Sequence, residues 1–191
     1  MSSPELFAIA GCNGAGKTTA SYNILPDILD CKEFINADEI AHGLSPFNPE
    51  SVAIEAGRLM LKRWDELLEQ QITFAFETTL ATRIYVSRLK RAKQKGYQVK
   101  LIYLWLDSPE LAIERVKGRV LEGGHHIPEN IIRRRYFGGI QNFMHLYRHI
   151  VDEWILVDNS QSDFETIAKG TLREEKIGSS SKWQTIKGQI S

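Results

Sequence analysis

The sequence reads as an α/β protein built on a five-stranded, mainly parallel sheet with helices on both faces. Three observations predict it. Short apolar runs alternate along the chain with longer stretches of helical periodicity, the pattern of parallel strands joined by helical crossovers. Residues 99–106 (VKLIYLWL) are almost continuously apolar, as a strand covered on both faces must be. The first apolar run, residues 5–10, leads directly into a glycine-bearing loop and then a helical stretch. At 191 residues the chain suits one domain with a sizeable core.

The loop comes first. Gly11, Cys12, Asn13, Gly14, Ala15, Gly16, Lys17 and Thr18 match G-x-x-x-x-G-K-[ST], the Walker A or P-loop pattern, and Thr19 follows. Glycines let the backbone turn with positive φ and bring its N–H groups close to anionic oxygens. Lys17 is the residue to reach the β- and γ-phosphates of ATP, and the Thr18 hydroxyl is the one to ligate Mg²⁺. A helix starting near Lys17 adds its positive dipole end to the same anion. The context of strand, glycine loop and helix separates this reading from an ordinary glycine-rich turn. The fold class is therefore a P-loop NTPase-like α/β/α sandwich.

Residues 33–36 read as a second strand ending at Asn36, Ala37, Asp38 and Glu39. A loop with two prolines follows, and Asn48 before Pro49 signals a helix start. Val52, Ala56, Leu59, Met60, Leu67 and Leu68 recur at helical spacing and form a core-facing stripe. Residues 72–76 make a third strand, closing on Glu77, Thr78 and Thr79. A helix over 82–95 carries Tyr85, Leu89 and Ala92 on one side and a basic, solvated face on the other, and Gly96 closes it. After the fourth strand, Ser108 and Pro109 start a helix to about Val120, and Pro128 opens another reaching about Ile150. Residues 154–157 are the last strand, followed by Asp158, Asn159 and Ser160. Residues 161–191 form a weakly patterned tail: Phe164, Ile167 and Ala168 suggest a short helix, and residues 178–181 a flexible segment.

In a parallel α/β sheet, ligands bind beyond the carboxyl ends of the strands. Three polar clusters fall there: the glycine loop, Asn36 to Asp38, and Glu77 to Thr79. Asp38 is placed to take the proton of an acceptor hydroxyl, although capping the helix that begins at Glu39 would also use it. Glu77 reads as a carboxylate for substrate, or for Mg²⁺ through water, with Thr78, Thr79 and Arg83 beside it. Residues 115–136 read as a helical lid with Arg115, Arg119, Arg133, Arg134 and Arg135, hinged at Gly118, Gly123 and Gly124. One or two of these arginines suit a transferring phosphoryl group, and the others suit solvent or carboxylate partners. His125 with His126, and His145 with His149, read as surface pairs because no third metal ligand stands at suitable spacing.

Lys and Arg number 24 and Asp and Glu number 24, so the charge balances and a nucleic acid partner is not expected. No long apolar run or charged leader marks a membrane span or export signal. Cys12 and Cys31 give no disulfide framework and fit a reducing cytoplasm. Cys12, inside the loop, reads as a small filler rather than a redox switch.

With these residues in view the chain resembles the zeta toxin family of small P-loop kinases. The resemblance rests on GCNGAGKTT, FINADEIA, FAFETTLA, LWLDSPELAIERVKGRV and GGHHIPENIIRRRYFGGIQNF in that order, over about residues 5–160. It implies ATP and Mg²⁺ at the glycine loop, and Asp38 as catalytic base. It also implies that Glu77 and Thr79 contact the acceptor, and that lid arginines, best matched by Arg119 and Arg135, neutralise phosphates. The best-known members phosphorylate the 3′-hydroxyl of the amino sugar in UDP-N-acetylglucosamine and are held by an antitoxin that blocks the ATP site. The expectation is thus a small-molecule kinase acting on a UDP-amino sugar. The alternatives are a kinase for another nucleotide, a metabolite or an RNA end, and an ATP-binding regulatory module with little turnover.

Overall fold

The computed structural model describes residues 3–124, 126–161 and 163–190. Its strands are β1 (Glu5–Gly11), β2 (Glu33–Ile35), β3 (Phe74–Thr78), β4 (Gln98–Trp105), β5 (Glu153–Asp158), β6 (Glu165–Thr171) and β7 (Glu175–Ile177). Its helices are α1 (Lys17–Ile24), α2 (Ala37–Leu44), α3 (Ala53–Glu69), α4 (Tyr85–Gln94), α5 (Pro109–Leu121), α6 (Glu129–His145) and α7 (Ser180–Gln189). Short 3-10 turns stand at Pro49–Val52 before α3 and at Tyr147–His149 after α6.

The strands form one sheet in the order β2-β3-β1-β4-β5-β6-β7. The first five pair in parallel, as an alternation of strands and helices requires, and β6 and β7 add an antiparallel extension. The sheet therefore has seven strands among the described residues, not five. The predicted short helix at Phe164, Ile167 and Ala168 is replaced by β6, and residues 178–181 lead into α7 instead of staying loose. The reason is that the two added strands carry little apolar signal. β6 buries only Ile167 and Ala168 fully, and β7 is exposed throughout, so both are held by ladder hydrogen bonds. α7 announces itself only by Trp183 and Ile186, which are buried. Trp183 stacks on Trp154 with centroids 6.2 Å apart, and Lys182 reaches Asp158 at 2.5 Å and Glu165 at 2.6 Å.

One face of the sheet is covered by α3, α4, α7 and much of α6, the other by α1, α5 and the start of α6. In α3 the core stripe runs through Ala56, Met60, Trp64, Leu67 and Leu68. Leu59, expected in the core, is 39% exposed, because the stripe turns through Trp64 and leaves Leu59 on its outer edge. α4 begins at Tyr85, later than expected, since the chain before it is occupied in a tight turn described below. The helix expected to reach Ile150 stops at His145 and passes into a 3-10 turn. Gly118 lies inside α5, so the bend expected there falls at Gly123, whose φ of +89° ends the helix. His125 lies outside the described residues; His126, His145 and His149 are exposed.

Candidate active site

The central strand β1 delivers the phosphate loop between β3 and β4, at the carboxyl edge of the sheet. Gly14 and Gly16 both have φ +80°. A Cβ on Gly14 would stand 2.7 Å from the Ala112 carbonyl oxygen, so this loop position needs glycine for space as well as for φ. α1 starts at Lys17 with no side-chain cap, which leaves its first amides for an anion. Lys17 is buried. Its Nζ donates to the Cys12 carbonyl at 2.9 Å and lies 3.5 Å from Glu77 Oε1.

Glu77 ties the loop to two other strand ends. Its Oε2 accepts from Thr18 Oγ1 at 2.8 Å and from Asn36 Nδ2 at 2.9 Å. The same Asn36 caps α2: its Oδ1 accepts from the Asp38 N–H at 2.9 Å. Capping is therefore the work of Asn36, and the Asp38 carboxylate in the first turn of α2 stands exposed at the rim of the site.

The turn after β3 is tight. Thr78 Oγ1 accepts from the Leu80 N–H at 3.0 Å, and Leu80 is buried with φ +53°, a conformation that a branched side chain rarely adopts. α6 and the turn after it hold this segment, through Asn142 Nδ2 on the Leu80 carbonyl and the Tyr147 hydroxyl on that of Thr82. A cavity of about 210 Å³ results, lined by Asn13 and Lys17 on the loop side and by Asn36, Asp38, Glu77, Thr78, Thr79 and Arg135 around it.

The arginines divide by their partners. Arg135 is half-buried, and its Nη1 donates to Asn13 Oδ1 at 3.1 Å. Burial lowers its pKa, and the Asp38 carboxylate works against that shift. Arg119, Arg134 and Arg135 line a second cavity of about 670 Å³, with Asp38 and His126 among its other walls. Asp38 and Arg135 thus border both spaces. Arg133 turns away to Glu110, 2.7 Å from it. Arg115 is bound through Nη1 and Nη2 to the carbonyls of Asn159 and Ser160. Arg83 and Thr19 are exposed and line neither cavity. Among the described residues, no three His, Cys, Asp or Glu side chains gather in a metal-holding group.

Cys12 is 2% exposed, and burial pushes its thiol up to about 11 although Lys17 and Arg115 pull the other way. It is a filler of the loop. Two residues that sequence reasoning passed over are Asn159, whose Nδ2 donates to the Ala15 carbonyl at 2.8 Å, and Arg115 in the bracing role just described. The signal was present: Asn159 follows a strand, and the strand-end rule applies to β5 as it does to β1.

The zeta toxin family model matches residues 1–167, through every element of the site. The chain belongs to the zeta toxin family. An uncharacterized protein of Haemophilus influenzae is 37% identical over 127 residues, which are 66% of this chain and 88% of that protein. Among solved structures, the crystal structure of AvrRxo1-ORF1 with AvrRxo1-ORF2 and sulphate ions superposes with a TM-score of 0.80 at 18% identity. The match covers 96% of this chain and 63% of that one, so this zeta toxin family member spans less than two thirds of that neighbour's length. The same pair crystallised with ATP gives a TM-score of 0.77, again at 18% identity and with the same coverage. The PezAT toxin-antitoxin system of Streptococcus pneumoniae gives 0.68 at 17% identity, over 100% of this chain and 79% of that one. At such identities these neighbours speak for the fold alone, an α/β sheet with helices packed on it. No helix among the described residues is long and apolar enough to cross a membrane.

Proposed function

We propose that the chain is an ATP-dependent kinase that moves the γ-phosphoryl group of ATP to an acceptor hydroxyl, with UDP-N-acetylglucosamine as the acceptor. One observation carries the reading. Asn13 and Lys17 of the phosphate loop share a single small cavity with Asp38, Thr79 and Arg135, so donor-side and acceptor-side groups face the same space.

The residues fit the chemistry asked of them. The uncapped first turn of α1 and the Lys17 ammonium hold the phosphates of ATP, a ligand that the AvrRxo1-ORF1 neighbour was crystallised with. Thr18 and Glu77 bring a hydroxyl and a carboxylate to one point, the hard oxygen donors that suit Mg²⁺. When bound there, Mg²⁺ supplies positive charge to the phosphate oxygens. Asp38 accepts the proton of the acceptor hydroxyl, and Thr78 and Thr79 with Asn36 orient that acceptor. Arg135, fixed by Asn13, and Arg119 from α5 stabilise the charge that develops during transfer. Arg83 meets only the outer part of an acceptor larger than the small cavity. The amino-sugar acceptor comes from the family, as does an antitoxin partner, which the PezAT system also has. The cytoplasm, which holds ATP and nucleotide sugars, is the compartment that suits this activity.

Incubation with γ-labelled ATP and UDP-N-acetylglucosamine tests the proposal. Label in the nucleotide sugar supports it. Label in another member of a panel of nucleosides, sugars, small alcohols and RNA ends replaces the acceptor and leaves the kinase. ATP binding with no transfer to any of them overturns the kinase in favour of a binding module.

A further inference from the structure

The residue after β5, Asn159, is built into the phosphate loop from outside it. Its Nδ2 donates to the Ala15 carbonyl at 2.8 Å, and that carbonyl requires a donor, which fixes the orientation of the amide. The Ala15–Gly16 peptide is trans, as are the other peptides among the described residues, so its carbonyl and its N–H point in opposite directions. A carbonyl turned toward Asn159 turns the Gly16 N–H away from it. That N–H donates to no protein acceptor among the described residues. A Cβ on Gly16 would stand 2.6 Å from Asn159 Nδ2, so a side chain there would push that amide aside.

Asn159 is itself held on both sides of its backbone. Its N–H donates to the Trp105 carbonyl at 2.9 Å, and its own carbonyl accepts from Arg115 Nη1 at 2.8 Å. Arg115 Nη2 extends the grip to the Ser160 carbonyl at 2.9 Å. An amide that is fixed at its root can fix what it touches.

We infer that Asn159 is a positioning residue of the phosphate loop, holding the Ala15–Gly16 peptide in the orientation that offers the Gly16 N–H to a bound phosphate. The inference rests on the nucleotide reading of the loop given above. Aspartate at this position has nearly the same shape but sets an anionic acceptor against the Ala15 carbonyl, which favours a turned peptide and a retracted N–H. Alanine removes the donor and adds no repulsion, so the peptide is loosened rather than turned.

The test is calorimetric binding of ATP and of pyrophosphate, each with Mg²⁺, to the full chain. Asn159→Asp should weaken both ligands by about tenfold or more, the scale of a lost hydrogen bond to a charged group, and Asn159→Ala should weaken them less. Tyr97→Phe, which removes a buried hydroxyl bonded to the Leu67 and Ile72 carbonyls far from the loop, should lower the melting temperature and leave both affinities unchanged. In turnover, Asn159→Asp should raise the KM for ATP and not the KM for the acceptor. If Asn159→Asp binds both ligands as the wild type does, the role of Asn159 is overturned. If that variant fails to fold, unchanged pyrophosphate affinity in Asn159→Ala overturns it equally. A wild-type chain that binds neither ATP nor pyrophosphate removes the nucleotide reading, and the inference with it.

Discussion

The hydroxyl of Thr18 donates to the carboxylate of Glu77 at 2.8 Å across 59 positions of sequence. The pair exists because β1 and β3 are parallel neighbours with Ile9 opposite Glu77, so the loop after one strand meets the end of the next. Lys17 and Asn36 complete the cluster. Glu77→Gln keeps the shape and removes the charge. We expect turnover to fall by about 100- to 1,000-fold, the usual cost of removing one preorganised electrostatic group. ATP affinity should lose its dependence on Mg²⁺, read by titrating the metal against the variant.

The lock between α7 and the sheet depends on pH. Burial works to raise the Asp158 carboxyl, but Lys182 and the Ser160 hydroxyl and N–H outweigh it and hold the group below its ordinary 3.8. A depressed carboxyl contributes stability above 3.8 and loses it as pH falls through the lower folded value. Lys182 is raised above 10.5 by Asp158 and Glu165, so its share is present below 10.5 and lost as pH rises through the folded value. Melting temperatures should therefore fall at both ends of the range. In Lys182→Met the acid-side loss attributable to Asp158 should shrink.

Trp64 is the centre of the aromatic packing between α3 and the sheet, with Phe76 at 4.5 Å and Phe74 at 5.2 Å between centroids. Trp64→Ala should cost about 3–5 kcal/mol in urea unfolding. Leu59→Ala, on the same helix but outside the stripe, should stay within about 0.5 kcal/mol. Equal losses would refute the assignment of the stripe.

Both cysteines should resist thiol reagents. Burial raises Cys12 and Cys31 to about 11, so at pH 8 little thiolate is present and neither sulfur is exposed. An absorbance assay with a disulfide reagent should find almost no reaction in the native protein and two thiols per chain in denaturant.

The parts of this molecule legible in sequence were those with a strong local signature. The glycine loop has a fixed spacing, β4 is almost continuously apolar, and Asn36 and Glu77 stand at the carboxyl ends of short apolar runs. What escaped was set by pairing and by contacts between distant segments. β7 is an exposed edge whose register with β6 leaves no apolar trace, and α7 depends on Trp183 meeting Trp154. The turn at Leu80 has a positive φ at a residue that gives no sign of it, and only Asn142 and Tyr147 explain how it is held. Of the five lid arginines, sequence could not say which would be diverted. Arg133 goes to Glu110 and Arg115 to the turn after β5, while Arg119, Arg134 and Arg135 line the larger cavity.

Asp38 stands at the junction of those cavities with its capping duty taken over by Asn36, and the proposed chemistry turns on it. The decisive measurement follows Asp38→Asn in parallel for ATP affinity and for transfer of the labelled γ-phosphate to the acceptor. The account predicts ATP affinity within about threefold of wild type and transfer reduced by about 100- to 10,000-fold, the range of general base catalysis. Transfer at the wild-type rate would contradict it.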